Sequence, residues 1–95
     1  VLFRSGALDT GFNRNAAGVV EINSGTKGNF GDLILRSVRF GSTYTVATLP
    51  ASSAVDGGLF YVTDLTSLTN GSTPSGGGSL KGLVKSNGTD YVVLG

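Results

Sequence analysis

The chain has 95 residues, with seven Lys and Arg against six Asp and Glu, and a formal net charge of +1. That balance gives nucleic acid or an anionic membrane surface nothing to hold. With no His and no Cys, disulfides, thiol chemistry, His/Cys metal sites and His-assisted serine hydrolysis are all excluded.

In chain order, "VLFRS" (Val1–Ser5) coincides with what a common sequencing-library adapter encodes in one frame. We expect it to be an assembly artefact on an environmental gene fragment whose natural chain extends further N-terminally. "GVVEIN" (Gly18–Asn23) alternates, with Val20 and Ile22 on one face and Val19, Glu21 and Asn23 on the other. "SGTKGNFG" (24–31) is a glycine-rich turn region, and "DLILRSVRF" (Asp32–Phe40) reads as a second strand. Its apolar residues change face between Leu33/Leu35 and Val38/Phe40, which implies a bulge or twist near Ser37. The two segments together predict a hairpin with a long loop.

"STYTVATLP" (42–50) is rich in β-branched and aromatic residues and predicts a strand ended by Pro50. "ASSAVDGG" has room for one helical turn before Gly57-Gly58. "LFYVTD" (Leu59–Asp64) is the strongest strand signal in the chain, with Phe60 facing the core and Tyr61 facing out. "LTSLTNGSTPSGGGS" (65–79) is a loop by composition, with low order expected. "LKGLVKS" and "DYVVLG" flank Asn87-Gly88-Thr89, a strong short-range hairpin signal. Three segments follow: the artefact at 1–5, a stem-like hairpin at 6–41 and a small β-domain at 42–95. No apolar run approaches the ~18 residues of a membrane span, and no membrane insertion is expected.

The acidic residues are Asp9, Glu21, Asp32, Asp56, Asp64 and Asp90. Only Asp56 and Asp64 sit where a turn could face them, and carboxylates beside turns more often cap the backbone than act as an acid–base pair. Gly76–Gly78 lacks the Gly-Lys-Ser/Thr ending of a phosphate loop and reads as surface loop. Asn70-Gly-Ser and Asn87-Gly-Thr match glycosylation acceptors but read as turns. The expectation is therefore a non-enzyme with no metal and no cofactor. The long loop and its neighbour provide the candidate receptor contacts: Tyr61, Leu65, Thr66, Asn70 and Ser72.

Two stretches carry a resemblance. "NAAGVVEINSGTKGNFGDLILRSV" (15–38) is similar to a segment common in tail fibres and receptor-binding proteins of tailed bacteriophages. The stretch from Thr45 to Gly95 resembles the C-terminal module of such proteins through Leu49-Pro50, Val62-Thr63-Asp64, Gly76–Gly78 and Asn87-Gly88-Thr89. The departures are Tyr91, where the family often has Trp, and Asn87, where it often has Asp. The resemblance implies an all-β homotrimer in the virion, with Val19–Phe40 in an intertwined stem and a small terminal β-domain. The implied partners are further copies of the chain and a host-surface glycan or protein. A bacterial surface adhesin or carbohydrate-binding module, and the non-catalytic end of an enzymatic tailspike, are the alternatives. Hydrophobic content of 39% and sixteen glycines fit a chain that gains part of its core from copies of itself.

Overall fold

The computed structural model describes Leu2–Phe3 as backbone and residues 10–95 in full. Most of the expected adapter segment, Val1 and Arg4–Ser5, lies outside the described residues. The fold is all-β: two antiparallel three-stranded sheets with 3₁₀ turns between them. The strands are β1 (Leu2–Phe3), β2 (Thr10–Ala16), β3 (Val19–Asn23), β4 (Leu59–Leu65), β5 (Leu80–Ser86) and β6 (Tyr91–Val93). The chain divides into two compact units, Val1–Val38 and Arg39–Gly95, with sheet order β1-β2-β3 in the first and β4-β5-β6 in the second.

In the first unit the expected hairpin partner is replaced. β3 pairs with β2, not with Asp32–Phe40, and Phe12 stands opposite Ile22 and Arg14 opposite Val20. Gly18, at φ +72°, closes the tight turn between them. "TGFNRNA" has too few apolar residues to read as a strand, because what holds it is polar. Asn23 donates through Nδ2 to Asn13 Oδ1 at 2.6 Å and to Glu21 Oε1 at 3.1 Å. Asn15, the extra residue of a bulge between Arg14 and Ala16, donates to Glu21 Oε2 at 2.6 Å. The Gly28 amide reaches back to Glu21 Oε1 at 2.6 Å, and the Gly25 amide to Asn23 Oδ1 at 3.0 Å. The turn region 24–29 thus closes over the polar face, burying Glu21 to 6% exposure and Asn23 to 1%. Phe12 and Val20, on the opposite face, stay exposed.

Asp32–Phe40 forms no strand. A strand is stable only when its N–H and C=O groups find a ladder, and among the described residues no strand pairs with this segment. Its apolar residues remain in solvent, Ile34 at 96% exposure.

The second unit has a small apolar core of Val62, Leu65, Val84 and Val93, with Tyr44, Val46, Leu49, Phe60 and Tyr91 packed against it. Phe60 and Val62 face inward from alternate positions of β4. A bulge between Val62 and Leu65 then switches parity, so Leu65 also points into the core. Phe60 meets Tyr44 and Tyr91 edge-to-face, with centroids 5.3 and 5.8 Å apart. β5 carries Gly82 opposite Val62, because the Leu68 side chain and the Gly95 carbonyl occupy the space a Cβ would take there.

The segment 42–50 is a strand only at Tyr44, which bridges Val62 in parallel through Tyr44 N–H to Tyr61 O and Thr63 N–H to Tyr44 O, both 2.9 Å. The chain then coils into a 3₁₀ turn at Val46–Thr48, and the anticipated helical turn appears at Ser52–Ala54. Asn87-Gly88 does set a hairpin, and the Asn87 side chain builds it. Asn87 Oδ1 accepts the amides of Thr89 and Asp90, and Gly88 takes φ +88°.

Glu21 is held ionised by the Asn15 amide first, then by the Gly28 N–H and Asn23, which lower its pKa below the ordinary 4.5. A carboxylate with a depressed folded pKa contributes stability that is complete above its unfolded value and fades as pH falls through the folded one. The hairpin is therefore expected to hold at neutral pH and to loosen only below about pH 4.5. The Gly28 amide resonance should titrate in step, and Glu21→Gln should abolish that titration. In the second unit, a Cβ on Gly78 would strike the Leu65 carbonyl backbone. Gly78→Ala should cost about 1–3 kcal/mol, as overpacking does, read as a lower denaturant midpoint.

Candidate functional site

The segment from Thr45 to Asp64 comes together around one side chain. Asp64 sits in the β4 bulge, where the extra residue releases its side chain from cross-strand pairing. Its Oδ1 accepts the Val46 N–H at 2.9 Å and its Oδ2 accepts the Gly77 N–H at 3.3 Å. The first contact starts the 3₁₀ turn, and the second fastens the glycine loop. Asp64 is thus a structural acceptor, as a carboxylate beside a turn is expected to be, and Asp56 lies instead against Gly88 in the hairpin turn.

Leu49-Pro50 follows the first 3₁₀ turn, and the Pro50 carbonyl accepts the Tyr91 hydroxyl at 2.6 Å. Burial pushes the Tyr91 phenol above its usual pKa, with a smaller contribution from Tyr44, so it stays protonated and donating at neutral pH. The loop 66–79, expected to be poorly ordered, is tied down along its length. Thr66 N–H bonds Ser75 O at 3.1 Å and Gly78 N–H bonds Asp64 O at 2.8 Å. Gly71 N–H bonds Val93 O at 2.8 Å, and Val93 N–H bonds Ser72 O at 2.9 Å. These last two bonds give β6 an edge partner that no strand signal in "LTNGSTP" announces.

The sequence-predicted contacts divide accordingly. Tyr61 is half-buried on the face of β4 turned away from the core. Thr66 and Asn70 are exposed on the loop, and Ser72 is half-buried with its hydroxyl on Thr69 O at 2.6 Å. Leu65 is fully buried in the core. The bulge turns it inward, so its side chain has no surface to present to a receptor.

What the sequence reading missed is a cleft. Val46, Leu49, Thr73, Pro74, Asp90 and Tyr91 line an open cleft of about 220 Å³. They come from the first 3₁₀ turn, the long loop and the end of the last hairpin, three places far apart in the chain. Among the described residues, no group of three or more His, Cys, Asp or Glu is placed to hold a metal ion, and no helix is long and apolar enough to cross a membrane.

Compared with protein-family models, curated proteins and solved structures, the chain matches none.

Asp64→Ala removes both acceptor contacts and is expected to destabilise the second unit by about 1–3 kcal/mol, the usual cost of leaving amides without a charged partner. Asp64→Asn, which keeps one oxygen, should lose less; equal midpoints for wild type and Asp64→Ala in urea would contradict this.

Proposed function

We propose that the chain is a distal segment of a bacteriophage tail fibre, a non-enzymatic virion component that assembles as a homotrimer and attaches to the host surface. One observation carries the assembly half of this reading: the first unit exposes the apolar residues that a folded chain would bury. Val20, Phe30, Leu33, Ile34, Leu35 and Val38 are all more than half exposed. Five of the six fall within the nine residues from Phe30 to Val38. The polar face of the same hairpin is already closed by its own turn, so the free face is the apolar one. Apolar strips of this kind rarely face water in a monomer, and a second and third copy of the same strip match it by symmetry. Burying each large side chain contributes roughly 1.5–3 kcal/mol.

The attachment half is supported by the residues of the resemblance. Leu49-Pro50, Asp64, Gly76–Gly78 and Asn87-Gly88 are the points at which the second unit is tied together. A rigid unit with an ordered surface loop, repeated three times on one fibre, attaches by many weak contacts at once. Tyr61, Thr66, Asn70 and Ser72 are the contacts that remain available on this surface.

Leu35 is exposed in the single chain, so Leu35→Asp leaves the fold of the protomer intact and acts only on assembly. Size exclusion with light scattering should give three times the 9.6 kDa chain mass for the wild type and a single chain mass for the variant. A folded wild-type monomer overturns the reading.

A further inference from the structure

The cleft has a composition that selects a ligand class. Val46, Leu49, Pro74 and Tyr91 supply apolar wall, and Asp90 and Thr73 supply the polar atoms. The hairpin turn at 87–90 is built by the Asn87 side chain and the Asp90 backbone amide, which leaves the Asp90 carboxylate outside the turn's own bonding. Among the described residues neither that carboxylate nor the Thr73 hydroxyl has a partner. The Tyr91 hydroxyl, by contrast, is spent on Pro50, so this residue offers the cleft ring surface and no free donor. The site thus sets two solvent-exposed polar side chains, Thr73 and Asp90, beside an apolar wall, a combination that small-ligand sites use.

The walls are also fixed in advance. The Val46 amide is held by Asp64, the Tyr91 ring by Phe60 and Pro50, and the loop bearing Thr73 and Pro74 by the bonds of Gly71 and Ser72 to Val93. A preformed site loses little affinity to ordering its own walls. At about 220 Å³ the cleft is below the ~300–1,000 Å³ of drug-sized pockets and holds one ring. Among the described residues that line it, Asp90 alone is charged. Its carboxylate beside apolar surface repels anions and favours a cation, and an aromatic ring nearby adds to that preference.

We propose that this cleft binds a single amino sugar, a pyranose ring whose C–H face lies on the apolar wall. Its primary ammonium reaches the Asp90 carboxylate, and a ring hydroxyl reaches Thr73. The site deepens the attachment reading and rests on it for its biological setting, since such a ring is the kind of unit a surface glycan displays.

The test is amide chemical-shift mapping on the full chain with glucosamine, N-acetylglucosamine and glucose. Glucosamine should move the amides of Val46, Leu49, Thr73, Asp90 and Tyr91. N-acetylglucosamine, which has lost the cation, and glucose should bind at least ten-fold more weakly. Asp90→Asn, which removes no internal bond, should lose the preference for glucosamine, and Thr73→Val should weaken all three sugars. Equal shifts with the three sugars, unchanged selectivity in Asp90→Asn, or no shift at these amides would each overturn the proposal. Adsorption of the chain to host cells is measured separately. Adsorption with an unresponsive cleft overturns the amino-sugar site and keeps attachment, whereas a glucosamine-selective cleft without adsorption keeps the site and overturns attachment.

Discussion

Asp64 stands where β4 gains one residue relative to β5, and the second unit is arranged around that irregularity. The extra residue turns Leu65 into the core and frees the Asp64 carboxylate to take amides from Val46 and Gly77. The first amide fixes the 3₁₀ turn that delivers Leu49-Pro50 to Tyr91; the second brings the glycine loop close to β4. Gly76 and Gly78 are small because the Asp64 carboxylate and the Leu65 carbonyl leave no room for a Cβ. Four buried aliphatic side chains make a slender core, and a charge-assisted acceptor at its rim organises more chain than those contacts could alone. The cleft follows from the same arrangement, since two of its three walls are the segments that Asp64 holds.

The first unit solves the shortage of apolar residues differently. Its buried face is a network of Asn13, Asn15, Glu21 and Asn23, with every buried side-chain polar atom among the described residues partnered. A fully satisfied polar face specifies register closely, because a slip by one residue would orphan each amide. It yields little burial free energy, however, and leaves the apolar face to water.

These differences decide what could be read from the sequence. β4, β5, β6 and the Asn87-Gly88 turn were legible because alternation and turn chemistry are local. β3 was legible for the same reason. β2 was not, since "TGFNRNA" is held by side-chain amides that no hydrophobic period reports. Asp32–Phe40 has the composition of a strand and finds no strand partner among the described residues, and composition alone cannot supply a ladder. The 3₁₀ turn at Val46 replaced an expected strand because a carboxylate eighteen residues away captured the amide that a strand would have used. The cleft was out of reach for a similar reason: Val46, Thr73 and Asp90 become neighbours only through the long-range bonds of Asp64, Val93 and Pro50.

The edges of the two sheets are treated differently. In the second unit, Tyr44 covers one edge at Val62, and Gly71 and Ser72 cover the other at Val93. Covered edges resist strand-to-strand association, and the interior there is closed as well. The first unit keeps its apolar face and the unpaired segment 32–38 open. If both regions simply reflected a glycine-rich chain with too few hydrophobic residues, the exposed apolar side chains would be scattered over both. The most exposed are concentrated instead: Val20, Phe30, Leu33, Ile34, Leu35 and Val38, each more than half exposed, lie in the first unit, whereas Phe40, Leu59, Leu68 and Leu80 of the second are each less than half exposed. On the proposed reading this is a division of labour: one unit finishes its own fold and offers a surface, and the other leaves its burial to be completed by copies of itself.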